Sequence, residues 1–298
     1  MHVIPESELI LNADSKVYHL NTGPHDLART ILTVGDPDRV ATVSACFDSV
    51  EFKTQHREFV THTGYVGKKR ITVLSSGIGP DNIDIVMNEL DACFNIDFHS
   101  RTSKPEHQSL QIIRLGTSGS LQADIPVDSL VVSTHGIGLD NLLHYYPFEA
   151  SEEEQQIAKA FSAQCLPDRA VVIPYAAKGS GFLLPFFTDG FHQGITVTCP
   201  GFYGPQGRNL RAGLQYPSLV EQLTDFRWNS MRITNFEMET AAIFGLGKLL
   251  GHHCLAINTI VANRVRKEFS QSAPKSIQNM IERSLSIIET IPDEDSIH

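Results

Sequence analysis

The spacing of apolar residues changes period several times along the chain, and each change marks an element. Thr30–Val34 is a short apolar-rich run that stops at Gly35-Asp36-Pro37, the pattern of a buried strand entering a tight turn, with helical character over 38–46. Two β-rich runs within 59–74 flank Gly67-Lys68-Lys69 and predict a hairpin. The second run leads into Ser75-Ser76-Gly77-Ile78-Gly79, after which Pro80 suits the first position of a helix. Ile83, Val86, Leu90 and Cys93 recur at helical spacing and set the buried face of that helix up to Phe94. Residues 95–108 are polar and contain Arg101, Lys104 and Pro105, which predicts an exposed excursion, an insertion over about 95–110.

Strands are expected next at 111–115, ending in Gly116-Thr117-Ser118-Gly119-Ser120, and at 129–134, 171–175 and 194–198. Ser151-Glu152-Glu153-Glu154 is a helix-start signal for a segment running to Cys165. Residues 240–250 are apolar on most faces and close at Gly251, 254–262 are β-rich, and 274–291 form an amphipathic last helix. No internal repeat or charge run divides the chain. Alternation of strands and helices to the end predicts a single α/β domain over 1–298, with 1–15 as an N-terminal extension and functional residues on loops at strand ends.

With 298 residues, 41% hydrophobic and 19% charged, the chain can bury an ordinary core. Lys and Arg number 24 against 34 Asp and Glu, a formal charge of -10, which argues against a nucleic-acid partner and for a small molecule. Pro5, Glu6, Glu8 and Asp14 interrupt any signal-peptide core, and no apolar run is long enough for a membrane span, so a soluble cytoplasmic protein is expected. The five cysteines are scattered without a Cys-x-x-Cys pair and read as reduced and structural. Among the 13 histidines there is no His-Glu-x-x-His, and His252-His253 falls at a helix-to-strand turn, so no metal site is expected.

Three clusters carry candidate chemistry. Arginines lie beside glycine-rich strand ends or in a short motif at Gly35-Asp36-Pro37-Asp38-Arg39, at His56-Arg57-Glu58-Phe59 and at Arg114-Leu115-Gly116-Thr117. Backbone N–H groups of such turns and guanidinium forks suit an oxyanion, although each arginine alone could as well pair with surface carboxylates. Asn235-Phe236-Glu237-Met238-Glu239 places two carboxylates before an apolar helix, where they could accept from sugar hydroxyls or cap the helix. Phe202-Tyr203-Gly204-Pro205-Gln206-Gly207-Arg208 puts an aromatic, an amide and a guanidinium on one loop, which could read a planar base or be an ordinary surface loop.

Five motifs then fall in a fixed order: Gly-Asp-Pro-Asp-Arg-Val at 35–40, Arg-Glu-Phe at 57–59, Ser-Gly-Ile-Gly at 76–79, Arg-Leu-Gly-Thr-Ser-Gly at 114–119 and Asn-Phe-Glu-Met-Glu at 235–239. In these the sequence resembles the nucleoside phosphorylase family, uridine phosphorylase type, from about Lys16 to the last helix. The resemblance implies a central mixed β-sheet flanked by helices, of the nucleoside phosphorylase/hydrolase-like kind. It implies that Gly35, Arg39, Arg57, Arg114 and Thr117 hold phosphate, with Thr117 also near the ribose. Met238 would pack on the sugar and Glu239 accept from its hydroxyls, while His19 would reach the 5′-hydroxyl in a neighbouring subunit's site. A homodimer or trimer of dimers follows. Phe202 would stack on the base, Gln206 and Arg208 would read uracil, and Arg264 would lie near a uracil carbonyl. Arg114, Thr117, Glu239 and Arg208 are the catalytic candidates.

The implied reaction is phosphorolysis of pyrimidine nucleosides, uridine and phosphate giving uracil and ribose 1-phosphate, in salvage or catabolism. Inorganic phosphate is a co-substrate and no metal or organic cofactor is called for. Rival readings are a purine nucleoside phosphorylase, a nucleosidase and a catalytically silent nucleoside-binding protein. Where the purine branch carries an aspartate able to share a proton with the base, this chain has Asn263-Arg264, and a neutral amide cannot act as that acid. The chain also departs from the family at Pro200-Gly201, in the order Gly204-Pro205 and in the length of the 95–108 excursion.

Overall fold

The Thr30–Val34 run is buried at all five positions and forms strand β1. Its side chains alternate between two cores, Ile31 on one face and Leu32 and Val34 on the other, as a strand covered on both sides requires. The computed structural model describes residues 2–167 and 170–292. After β1 come α1 (Pro37–Ser44), β2 (Ser49–His56), β3 (Phe59–Val66), β4 (Lys69–Ser75), α2 (Pro80–Asn95), β5 (Ile96–Asp97), β6 (Thr102–Ser103), β7 (Gln111–Ser120) and β8 (Leu130–Gly138). They are followed by α3 (Glu152–Cys165), β9 (Tyr175–Lys178), β10 (His192–Thr198), α4 (Leu219–Asp225), β11 (Arg227–Trp228), β12 (Met231–Glu237), α5 (Thr240–Leu250), β13 (His253–Asn263), β14 (Glu268–Phe269) and α6 (Ala273–Thr290).

All strands except the β5–β6 pair join one mixed sheet, ordered β11-β12-β10-β8-β13-β7-β1-β4-β3-β2. β1 runs parallel to both β4 and β7, and β2, β3 and β4 make an antiparallel meander at one edge. β12 pairs in parallel with β10 and again, antiparallel, with β7 through Asn235–Ser120 and Phe236–Gly119. Five strands (β12, β10, β8, β13 and β7) therefore close on themselves, so that β7, β12 and β13 converge at one place. α2 and α5 cover one face of the sheet, and α1 and α6 the other. α3 and α4 close a third core against β10 and β12. The start of α3 has the expected reciprocal cap: Glu154 N donates to Ser151 Oγ (3.3 Å) and Ser151 N to Glu154 Oε2 (2.6 Å).

Three expectations are corrected. β7 does not end at Leu115 but runs through Gly116 to Ser120, because β13 pairs with it along the whole length. Gly116 serves close approach instead of a turn: a Cβ there would lie 2.5 Å from Asn258 Oδ1. The strand expected at 171–175 begins only at Tyr175, where pairing with Gly138 starts, and Val171 and Ile173 are exposed. β12 was not expected, since its buried side chains include Thr234 and Asn235; these join Thr196, Ser133 and Ser118 in a buried polar chain across four strands.

Asn95 fastens the excursion at its root, donating to Gln108 O (3.2 Å) and accepting from Gln108 N (2.7 Å). At its far end Arg101 donates to the carbonyl oxygens of Ile4, Pro5 and Leu9, so this segment holds the N-terminal strap in place. No helix among the described residues is long and apolar enough to cross a membrane.

Candidate active site

A cavity of about 810 Å³ opens where the ends of β1, β4, β7, β12 and β13 meet. At one end Asp36 caps α1 by accepting from Asp38 N (3.0 Å), which turns the chain sharply at Gly35 and sets Arg39 in the first turn of the helix. Gly35 lies beside the Gly77 turn and Arg114: a Cβ there would be 3.4 Å from Gly77 O and 3.8 Å from Arg114 Nη2. Arg114 projects from within β7 with its side chain only 6% exposed. Its Nη2 donates to Glu239 Oε2, and its Nε lies 3.5 Å from Glu237 Oε2. Yet Nε and Nη1 are buried with no hydrogen-bond partner among the described residues. A buried donor without an acceptor costs about 1–3 kcal/mol, and more when charged, so this end is poised to take an anion. Arg39 Nη1 donates to Leu115 O (3.3 Å), and burial first, then the nearby Arg114 charge, depress the Arg39 pKa. A bound anion would relieve both effects.

In the middle of the cavity the two carboxylates of the Asn-Phe-Glu-Met-Glu motif divide their tasks. Glu237 accepts from Glu239 N (2.9 Å), Thr240 N (3.0 Å) and Thr198 Oγ1 (2.7 Å), so it caps the start of α5. Glu239 instead faces Arg114 and accepts from Gly79 N (2.8 Å). Burial pushes the Glu239 carboxyl up to about 7; Arg114 opposes that rise and the neighbouring Glu237 charge adds to it. Thr117 and Met238, both half-buried, line the same wall.

The other end is built on the 199–208 loop. Arg208 stacks 3.7 Å above the Phe202 ring and donates to Gln206 Oε1 (2.6 Å) and Phe202 O (2.6 Å). Gln206 is buried, whereas Phe202 is half exposed. Arg264 lines the cavity, with Nη1 and Nη2 donating to Gln206 O (2.9 Å) and Gly207 O (3.2 Å), so it anchors the loop's backbone. Asn263, beside it, is buried and spent inward, donating to Gln122 O and Ile125 O.

Two sequence candidates are not brought to this cavity. Arg57, exposed in the β2–β3 turn at φ +54°, lies over Tyr18 (5.8 Å). His19 shares that surface, with Nδ1 2.6 Å from Glu89 Oε1 and its ring roughly perpendicular to that of Phe59. Of the arginines expected to share an anion, Arg39 and Arg114 meet within one chain and Arg57 does not. Away from the cavity, His252 approaches His107 and Asp91, a grouping the sequence did not suggest. Leu110 N donates to His252 Nδ1 (3.3 Å), so the neutral ring carries its proton on Nε2, 3.3 Å from Asp91 Oδ1. That tautomer offers no lone pair to a metal at Nε2.

The cavity also uses residues that sequence reasoning did not assign. Phe236, within the quoted motif, lies 5.9 Å from Arg208 and 5.5 Å from Arg264 and packs beneath both guanidinium groups. Asn82 Nδ2 donates to Glu58 Oε1 (3.4 Å) on the rim near the Gly77 turn, and Glu58 sits inside the Arg-Glu-Phe motif. Phe269 lines the cavity from β14, a two-residue strand with no local signal to announce it.

One cavity is thus lined by a buried basic cluster, a buried carboxylate beside it and an aromatic–amide–guanidinium loop. The family model of the Phosphorylase superfamily matches residues 29–291, and the chain belongs to that superfamily. Within it, the chain is 28% identical over 277 residues to the uridine phosphorylase of Thermococcus kodakarensis, covering 93% of this chain and 88% of that one. It is 27% identical to the uridine phosphorylase of Haemophilus influenzae, over 93% of this chain and 97% of that one. Among solved structures, a Trypanosoma brucei nucleoside phosphorylase described as showing uridine phosphorylase activity superposes with a TM-score of 0.83 at 31% identity, over 94% of this chain and 99% of that one.

Proposed function

We propose that this protein is a pentosyltransferase that splits pyrimidine nucleosides with inorganic phosphate, converting uridine to uracil and ribose 1-phosphate in nucleoside salvage or catabolism. The observation that carries this is Arg114: a sealed guanidinium with two unmet donors, beside the Gly35 turn and Arg39, at one end of a cavity whose other end holds Phe202, Gln206 and Arg208. Phosphate binds between Arg39, Arg114, Thr117 and the backbone at Gly35, and attacks the anomeric carbon on the face opposite the base. Its charge stabilises the oxocarbenium character of the sugar. Glu239 accepts from the ribose hydroxyls and Met238 packs on the ring, which fixes the anomeric carbon in line with phosphate. Phe202 stacks on the base, and Gln206 and Arg208 stabilise the negative charge that the base gains as the bond breaks.

Arg264 supports that loop beside the uracil carbonyl. Asn263, with its amide committed to Gln122 and Ile125, supports a pyrimidine over a purine because nothing at this position can share a proton with a purine nitrogen. The exposed Arg57 and the half-buried His19 complete the site of a neighbouring subunit in a homodimer or trimer of dimers: both are on one surface outside their own cavity. The cysteines are free, and four of the five are buried, which supports a reducing, cytoplasmic location. Phosphate is the co-substrate, and no step calls for a metal or organic cofactor.

The test is base release from uridine, thymidine and inosine with and without phosphate. Release of the pyrimidine only with phosphate is expected. Phosphate-independent release would make the protein a nucleosidase, turnover of inosine alone a purine phosphorylase, and binding without release a silent nucleoside-binding protein.

A further inference from the structure

At His19 the N-terminal segment meets α2 through Glu89, and the contact uses both carboxylate oxygens. Glu89 Oε1 accepts from His19 Nδ1 (2.6 Å) and His19 N (3.1 Å), while Oε2 accepts from Leu20 N (2.8 Å) and His19 N (3.1 Å). His56 Nδ1 approaches His19 O (3.1 Å) from β2, and the Tyr18 and Phe59 rings lie roughly perpendicular to the imidazole, with centroids at 5.0 and 6.3 Å. Both backbone donors and one ring nitrogen are thus held by a single half-buried side chain. The remaining ring atom, Nε2, has no partner among the described residues, and the His19 side chain is 25% exposed.

We infer that Glu89 is a positioning residue for the sugar-facing histidine: its carboxylate keeps the proton of the neutral His19 ring on Nδ1 and presents Nε2 as an acceptor for the nucleoside 5′-hydroxyl in the neighbouring subunit. The inference rests on the proposed role of His19 and deepens it. A carboxylate accepts at both oxygens, so it can satisfy Leu20 N–H with one and His19 Nδ1–H with the other. An amide cannot. In Glu89→Gln one of those two donors faces an NH2 group, and relief comes by moving the ring proton to Nε2, which turns an acceptor for the hydroxyl into a donor.

The experiment compares kcat/KM for uridine and for 5′-deoxyuridine, which lacks the hydroxyl, in the full-length protein, His19→Ala, Glu89→Gln and the double variant. The expected result is that His19→Ala removes the preference for uridine. Glu89→Gln should lower that preference by about three- to tenfold, the worth of one hydrogen bond, while turnover of 5′-deoxyuridine is retained and the double variant matches His19→Ala. If His19→Ala removes the preference and Glu89→Gln leaves it intact, the inference is overturned and the role of His19 stands. If His19→Ala leaves the preference unchanged, the role of His19 itself fails and the inference falls with it. Nitrogen NMR of the His19 ring in the unmodified protein at a pH where the ring is neutral gives an independent reading. A proton on Nδ1 supports the assignment, and a proton on Nε2 overturns it without recourse to any variant.

Discussion

The two ends of the cavity are made from different materials. At the basic end Arg114 and Glu239 are 5% and 2% exposed; one stands on β7 and the other between β12 and α5, so their positions are fixed by the packing of the sheet. At the other end Phe202 is 50% exposed, and Phe202, Gln206 and Arg208 share one loop held mainly by hydrogen bonds to its own backbone and to Arg264. Groups fixed by a sheet can be preorganised for charge, whereas groups on a loop can adjust to the shape of what they hold. A change at the sealed end should therefore strike the chemical step, and a change on the loop should strike affinity and choice of base.

Arg114→Ala tests the first half of that contrast most severely. It should lower kcat by about 100- to 1,000-fold, the scale for loss of one preorganised oxyanion donor, with the thermal transition monitored to separate catalysis from folding. Unchanged turnover with saturating phosphate would place the anion elsewhere. Arg208→Ala comes next: loss of a charged hydrogen bond should cost about 1.5–3 kcal/mol, on the order of tenfold to a hundredfold in kcat/KM for uridine. A loss confined to kcat, with no change in base preference, would contradict the division of labour.

A smaller effect should appear with pH. The Glu239 carboxyl is raised from 4.5 to about 7, so it becomes neutral as the pH falls through neutrality and accepts less well from ribose hydroxyls. Uridine binding to phosphate-free protein should weaken by at most about tenfold between about pH 8 and pH 6, since one proton is gained. In Glu239→Gln that dependence should vanish, and its persistence would assign the titration to another group. The least effect is expected of Phe202→Ala, about 0.5–1.5 kcal/mol of lost stacking, read as a rise in KM for uridine with kcat nearly unchanged.

The same contrast explains what could be read from the chain before its fold was seen. The helix starts were legible because they are local: the Ser151–Glu154 reciprocal cap and the Pro80 start of α2 are written within a few residues. The buried strand β1 was legible from its apolar run. β12 was not, because a strand inside a closed set of strands can bury Thr234 and Asn235 when neighbouring strands supply their hydrogen-bond partners, and those partners are distant in sequence. In the cavity, Glu237 and Glu239 look alike in the chain, two carboxylates two residues apart. Only the closeness of α5's first N–H groups to one and of Arg114 to the other separates the helix cap from the partner of Arg114. Phe269 had no signal because it enters from a two-residue strand that exists only by pairing with β13.

The grip of Arg101 on the first residues has a consequence for how this segment can change. Its guanidinium holds the carbonyl oxygens of Ile4, Pro5 and Leu9, groups that every amino acid possesses. Apart from Leu9 and Ile4, which also pack into the core, side chains in that stretch can be exchanged without removing these hydrogen bonds, while the clamp depends on one fork-shaped donor that lysine, with a single point of charge, cannot reproduce.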